Sequence, residues 1–312
     1  MKIKQILKVS DRASKWQSQI DRLDGAYADS TLRAYRTDAL SFVNWCDDRK
    51  LTSFPATPEV MSEYIADISE HYSSSTIKRR LAAIGKIHRL MKLESPVSDE
   101  EVKLSVRRAL RKKFTRPCQA SGLTAKLRDQ LISCCDNSLI GRRDRALITV
   151  GYDTLSRRSE LISICIEDVS FNDNGARILI KRAKNDPFGR GRVSHLSRQT
   201  TKHLQDWIKD SGITEGPLFR AIKHGKIHSK SLHPYSVNRI IKKAALAAGF
   251  SKIEIQKLSG HSMRVGAAQD MMAAGLDILP IMAAGGWKTT NVVARYIENA
   301  DISPMVNRFF DR

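Results

Sequence analysis

The five cysteines contain no C-x-x-C pair; they are odd in number, and two of them, Cys134 and Cys135, are adjacent. That rules out a disulfide framework and a cysteine-built zinc site, and it suits a reducing cytosol or nucleoid. No apolar run approaches the roughly 20 residues a membrane-spanning helix needs. The opening MKIKQILKVSDR lacks a sustained apolar segment, so no signal peptide is expected. Internal repeats and low-complexity tracts are also missing. Acid is in short supply: 33 Asp and Glu face 53 Lys and Arg, leaving a formal charge of +20. The excess is spread over both halves of the chain, so no single basic tail explains it. Such a surplus calls for a polyanionic partner, of which nucleic acid is the usual one.

What is present is enough for two cores. The 312 residues are 41% hydrophobic, which suits two domains of ordinary size. The first 115 residues read as successive helices. Ser30 and Thr31 open one that carries Leu32, Tyr35, Leu40, Phe42, Val43 and Trp45. Thr57 opens a second with Val60, Tyr64, Ile65 and Ile68. Ser73 to Ser75 cap a third, whose Ile77, Leu81, Ile84, Ile87 and Met91 recur at helical spacing. A fourth follows Ser98, where three acidic residues favour a helix start, and ends in a basic run. Pro117, Ser121 and Gly122 then break the pattern. Strand character appears only in ARILI (176–180) and RVSHL (192–196), which predict a hairpin or three-stranded sheet; beyond residue 200 the pattern is helical again. The expected fold is mainly α with a small antiparallel β-sheet. The expected division is an all-helical domain over 1–115, a linker over 116–122, an α+β domain over 123–300 and a C-terminal helix over 301–312.

Four clusters carry candidate chemistry. In TLSRRSEL, Arg157 and Glu160 are three apart and share a helix face. In SGHSMRVGAAQDM, His261 and Arg264 are three apart at a helix start, where backbone N–H groups favour an anion. In AAGGWKTTNVVARYI, a Gly-Gly turn precedes Trp287, and Thr289 or Thr290 caps a short helix bearing Tyr296. The hairpin supplies Lys181, Arg182 and Lys184. Singly, each is as well explained by a surface ion pair, a satisfied histidine, an amphipathic tyrosine or a charged turn.

As an ordered set they are another matter. R-x-x-E, then Lys in a hairpin, then S-G-H-x-x-R, G-G-W and Tyr resembles the tyrosine recombinase (phage integrase) family. The spacings of 26 residues from His261 to Trp287 and 35 from His261 to Tyr296 match its Cre-like branch, in which a tryptophan stands where many members carry histidine. The resemblance spans nearly the whole chain and loosens before residue 100.

It implies a site-specific DNA recombinase that cuts and rejoins strands through a 3′-phosphotyrosine at Tyr296, with no metal, cofactor or ATP. Arg157 and Arg264 would hold non-bridging phosphate oxygens, which two bidentate guanidiniums suit. Trp287, with one N–H and no acceptor, would add a donor. His261 would act on the nucleophile or the phosphate, Glu160 would prop the site, and Lys184 would protonate the leaving 5′-oxygen, with Lys181 as competitor. The all-helical part would be the core-binding domain and the α+β part the catalytic one, closing as a clamp on double-stranded DNA with an inverted-repeat target. DNA contacts are expected from Lys78, Arg79, Arg80, Lys86 and Arg89, and in the second half from Tyr235, Arg239, Lys242 and Lys243. The apolar tail with Met305, Val306, Phe309 and Phe310 would dock on a neighbour, cyclically, in a homotetramer. Two other readings remain: relaxation of supercoils in the manner of type IB topoisomerases, and a non-catalytic DNA-binding relative.

Overall fold

The computed structural model describes residues 15–113, 119–181 and 191–311. The chain divides into two compact units, Met1–Pro117 and Cys118–Arg312. The expected linker at 116–122 lies, through residue 118, outside the described residues, as does Lys184.

The first unit is helical: α1 over 15–21, α2 (Asp29–Asp48), α3 (Pro58–His71), α4 (Ser74–Leu90) and α5 (Glu100–Lys112). Its helix starts follow local capping chemistry. Thr57, Ser73 and Asp99 accept backbone N–H bonds from Val60, Thr76 and Glu101 with Val102, each cap worth about 1 kcal/mol. The second helix starts one residue before Ser30, at Asp29, and its cap, Ala28, makes no side-chain bond. The core joins Phe42, Met61, Tyr64, Ile65, Ile77, Leu81 and Ile84, all buried. His88 belongs to it. Its Nε2 accepts the Ala56 N–H at 3.0 Å, so its Nδ1 donates to the Ile84 carbonyl at 2.9 Å. Burial holds this imidazole below its ordinary pKa, and it stays neutral.

Arg80 corrects the expectation of a wholly DNA-facing basic stripe on α4. It is 7% exposed. Its guanidinium lies 3.8 Å over the Tyr72 ring and donates to the Tyr64 hydroxyl at 3.1 Å. The reason is register: residue 80 is three after Ile77 and four before Ile84, on the apolar stripe itself. Buried Asp38 meets both neighbours, with Arg79 at 2.7 and 2.9 Å and Arg80 at 3.8 Å.

The second unit packs α6 (Ala125–Ser133), α7 (Leu139–Asp153), α8 (Arg158–Ser163), α9 (Arg198–Ser211), α10 (Pro234–Ala247), α11 (Lys252–Lys257), α12 (Ser262–Ala273), α13 (Ile278–Gly285), α14 (Thr290–Ile297) and α15 (Ser303–Phe310) with two small sheets. One is the expected antiparallel sheet, β1 (Val169–Asn172), β2 (Gly175–Ile180) and β3 (Arg192–Leu196), in that order. On β2, Ala176, Ile178 and Ile180 face the core while Arg177 and Leu179 face out, the period of two expected of a strand covered on one face. The second sheet, β4 (Arg220–Lys223) with β5 (Lys226–Ser231), falls where only helix was expected. Its strands are short and rich in polar residues, β4 half-buried and β5 largely exposed, so they lack a clear apolar alternation. The one local signal is the His224–Gly225 pair, both at positive φ, a tight hairpin turn.

Helix α12 is buried along Ser262–Gln269. The incoming chain is fastened to it and to α11 before it: Ser121 N–H donates to the Lys257 carbonyl at the end of α11, and Leu123 N–H to that of Ser262. Asp270 accepts from Ala125 N–H at 2.6 Å and from the Tyr152 hydroxyl. The helix bearing Arg264 is thereby held at both ends by residues 123–125 and, at Asp270, by Tyr152 of α7 as well.

Candidate active site

Arg157 stands at the N-cap of α8 rather than inside it, and Glu160 is the third residue of the helix. The Glu160 carboxylate turns back to accept the Arg157 backbone N–H at 3.1 Å, while its other oxygen binds Arg157 Nη1 at 2.6 Å. One buried carboxylate thus fixes both the main chain and the guanidinium of Arg157, in the manner of half a capping box. Just before it, Leu155 holds a positive φ of 48°, a strained conformation for a branched residue. Its carbonyl accepts Arg264 Nη1 at 2.5 Å.

His261 caps α12, after a loop tied down by Asn238, whose Oδ1 accepts the Gly260 N–H at 2.7 Å. Arg264, one turn on, is wholly buried. Helix α13 ends in a Schellman turn. Gly286 takes the left-handed conformation (φ 63°) and donates to the Ala283 carbonyl, and Trp287 N–H donates to that of Met282 at 2.9 Å. A side chain on Gly285 would sit 2.1 Å from the indole ring, so the first glycine makes room for Trp287 and the second turns the chain.

The rings then converge. Tyr296 on α14 lies 5.1 Å from His261 and 4.8 Å from Trp287 between ring centroids. The Arg264 guanidinium is 4.1 Å from the Trp287 ring centre and 5.6 Å from that of Tyr296. Arg157, Glu160, His261, Arg264, Trp287 and Tyr296, drawn from four helices and their caps, therefore form one site.

Its electrostatics are lopsided. Burial, with repulsion from Arg157, brings Arg264 down to about 10, although Tyr296 and Glu160 pull the other way. Burial, then Arg264, Arg157 and Arg158, brings His261 down to about 4. Among the described residues, Arg264 Nε and Nη2 and Trp287 Nε1 are buried with no hydrogen-bond partner. A buried donor left unpaired costs about 1–3 kcal/mol. Three such donors beside a tyrosine make an anion cradle built before its anion arrives.

Arg192 went unremarked in the sequence. It lies on β3 opposite Ile180, and its Nη2 reaches Glu160 Oε2 at 3.4 Å. The usable signal was strand parity: Ser194 and Leu196 face the core, and so must residue 192. Lys181 is held 2.5 Å from buried Asp168, and that carboxylate raises its pKa. A general acid must give up its proton, so this pairing disfavours Lys181 as the donor.

The expected DNA-contact residues are not gathered at this site. Lys78, Arg79 and Arg89 are exposed on α4, and the Lys86 ammonium lies 5.3 Å from the Tyr27 ring. Tyr235 is 68% exposed near the start of α10, with Arg239 and Lys243 exposed beyond it and Lys242 half-buried. The β4–β5 hairpin adds exposed Lys223, Lys226 and Lys230, which stand outside the expected set.

Residues 122–302 match the Phage integrase family, and residues 22–95 match the Phage integrase, N-terminal SAM-like domain. An integrase/recombinase XerD homolog of Selenomonas ruminantium is 31% identical over 304 residues, covering 93% of this chain and 88% of that protein. Recombinase Cre of Escherichia phage P1 is 30% identical over 310 residues, covering 94% and 90%. Among solved structures, the XerH recombinase in its post-cleavage complex with palindromic difH aligns with a TM-score of 0.66 at 16% identity, over 88% of this chain and 79% of that one. The Tn1549 transposon integrase with transposon right end DNA gives 0.65 at 14% identity, over 96% and 98%. At these identities the structural likeness speaks for the fold.

Proposed function

Because the chain belongs to the phage integrase family and is a tyrosine site-specific recombinase, we propose that it cleaves and rejoins double-stranded DNA through a 3′-phosphotyrosine at Tyr296. The observation that carries this reading is the set of unpartnered buried donors on Arg264 and Trp287 beside the Tyr296 ring. The Tyr296 oxygen attacks the phosphorus, the bond to the 5′-oxygen breaks, and the protein becomes esterified to the 3′ side. His261, neutral at physiological pH, takes the phenol proton. Lys184 gives a proton to the departing 5′-oxygen. A partner strand's 5′-hydroxyl then reverses the step.

Phosphoryl transfer needs positioning and charge stabilisation above all. Arg157, Arg264 and Trp287 supply donors to the non-bridging oxygens, so the transition-state charge is met without a metal ion. The phosphotyrosine conserves the energy of the broken ester, so rejoining needs no ATP. Glu160 holds Arg157 in place.

The basic residues of α4 and α10 grip phosphates, with few base contacts. The tail supports assembly: Ile302, Val306, Phe309 and Phe310 are exposed, the two phenylalanines at 70% and 76%, an apolar face suited to burial on a neighbour. We assign it to cyclic docking within a DNA-bound homotetramer on paired inverted repeats, acting where bacterial DNA lies, in the cytosol. Among the described residues no helix is long and apolar enough to cross a membrane.

The test begins by selecting the DNA that the purified protein binds. Strand exchange between two selected sites, in chelator and without nucleotide, is expected from the wild type and not from Tyr296→Phe. Relaxation of plasmid lacking any such site would instead indicate topoisomerase behaviour. Deleting residues 302–312 is expected to spare half-site binding and to abolish the assembled complex; full exchange by that truncation would refute the docking role.

A further inference from the structure

Arg192 is a cation on the core face of a strand. Antiparallel register puts it opposite Ile180 and in line with Ser194 and Leu196, where an apolar residue would ordinarily sit. Its side chain is 12% exposed. Nη1 donates to Ser194 Oγ at 2.5 Å; Nη2 lies 3.4 Å from both Ser156 Oγ and Glu160 Oε2. Nε has no partner among the described residues. A side chain added at Gly286 would lie 3.1 Å from Arg192 Cδ and 3.2 Å from Nε. One guanidinium therefore touches the carboxylate that fixes Arg157, the serine following strained Leu155, and the corner that sets Trp287.

The plain alternative is an ion pair kept for stability. It accounts poorly for the geometry. The contact to Glu160 is long, one N–H is left unpaired, and burial lowers the pKa of Arg192 despite the carboxylate. A buried pair of that quality adds little stability over apolar packing. Meanwhile Glu160 divides its oxygens: Oε1 serves Arg157 Nη1, and Oε2 serves Arg157 N–H and Arg192. Without Arg192 that second oxygen would keep only the backbone contact, and the carboxylate could swing with the guanidinium it holds.

We propose that Arg192 is a positioning residue of the cleavage step, acting through Glu160 to hold Arg157 against the scissile phosphate while bracing the Gly286 corner behind Trp287. This rests on the phosphotyrosine reading above. The test uses the full chain on its selected half-site, with strand-nicked DNA that traps the covalent product. Wild-type adduct formation is the control; its absence would overturn the phosphotyrosine reading, not this one. Arg192→Met is expected to slow single-turnover cleavage by about 100-fold, the scale of a misplacement near 1 Å, with half-site affinity within about threefold and no loss of thermal stability. Arg192→Lys, which keeps the charge but cannot span Ser156, Ser194 and Glu160 together, is expected to fall between, and it serves if the methionine variant does not fold. In a Glu160→Gln background the further effect of Arg192→Met should largely vanish, because the two act as a unit. Wild-type cleavage by Arg192→Met, a rate loss matched by lost affinity, or the same fold-loss in both backgrounds would each overturn the proposal.

Discussion

The rings of Trp287 and Tyr296 meet at 4.8 Å between centroids, tilted by 56°. The indole has Arg264 over its face and its own Nε1 unpartnered. On the proposed reading Trp287 does two separable things: it walls in the tyrosine, and it offers a donor to the anion the tyrosine would attack. Trp287→Phe keeps most of the wall and removes the donor. Single-turnover cleavage is expected to fall about 100-fold, the cost of one preorganised donor to developing charge. Trp287→His, which restores an N–H, should lose less. Equal losses in the two variants would show that the indole N–H is idle.

Arg264 illustrates function held at the expense of stability. It is wholly buried, Nε and Nη2 have no well-formed partner among the described residues, and Nη1 donates to the Leu155 carbonyl. Replacing a poorly satisfied buried charge with an apolar side chain is often neutral or stabilising. Arg264→Met is therefore expected to abolish cleavage while the melting temperature of the DNA-free protein holds or rises. A fall of several degrees would mean that the guanidinium is chiefly a structural brace.

The pH behaviour follows from His261, held near 4 by burial and three neighbouring arginines. The folded-state value lies below the ordinary 6.5, so the neutral ring is the native form across the physiological range. Its capacity to accept the tyrosine proton is present above about 4 and lost only as pH falls through that value. The kcat/KM profile, which reports the free enzyme, should show no acid limb between pH 8 and 5.5. The same shift makes His261 a source of stability present above 6.5 and lost progressively as pH falls toward 4. Chemical denaturation of His261→Ala should show a shallower decline over that interval. An acid limb at 6.5 in the wild type would contradict the assignment.

On α4 the cations separate into two kinds. Asp38, 1% exposed, meets Arg79 and buried Arg80. Asp38→Ala leaves Arg80 buried without its carboxylate and should cost about 3 kcal/mol in urea unfolding. Lys78→Ala and Arg89→Ala should leave stability unchanged. Each should flatten the dependence of log K on log salt by about one unit, as the loss of one phosphate contact requires. Unchanged salt slopes would remove these two residues from the interface.

Much of this was legible before any coordinates. Helix starts at Thr57 and Ser73 are local hydrogen-bond chemistry, and the structure uses both caps; at the fourth helix the acidic start after Ser98 proves to be capped by Asp99. The six convergent site residues came from motif order and spacing, because no single cluster outweighed its bland alternative. What escaped depends on register and burial. Arg80 lies on the stripe of Ile77 and Ile84, a burial that its charge conceals. Arg192 is hidden because two of the three core-facing positions of its short strand, Arg192 and Ser194, are polar while outward Val193 is apolar, so the alternation does not mark its inner face. The β4–β5 hairpin carries no apolar period at all, so only its His224–Gly225 turn betrays it. The strain at Leu155 that aims a carbonyl at Arg264 has no sequence signature.

The central claim is that one phenol among these groups becomes bonded to DNA. Protease digestion of the trapped covalent complex, followed by mass spectrometry of the nucleotide-bearing peptide, reads it directly. The account predicts a single modified peptide, with the mass of a 3′-linked nucleotide phosphate on Tyr296. Attachment at any other residue, or a cleaved strand with no protein bound to it, would contradict it.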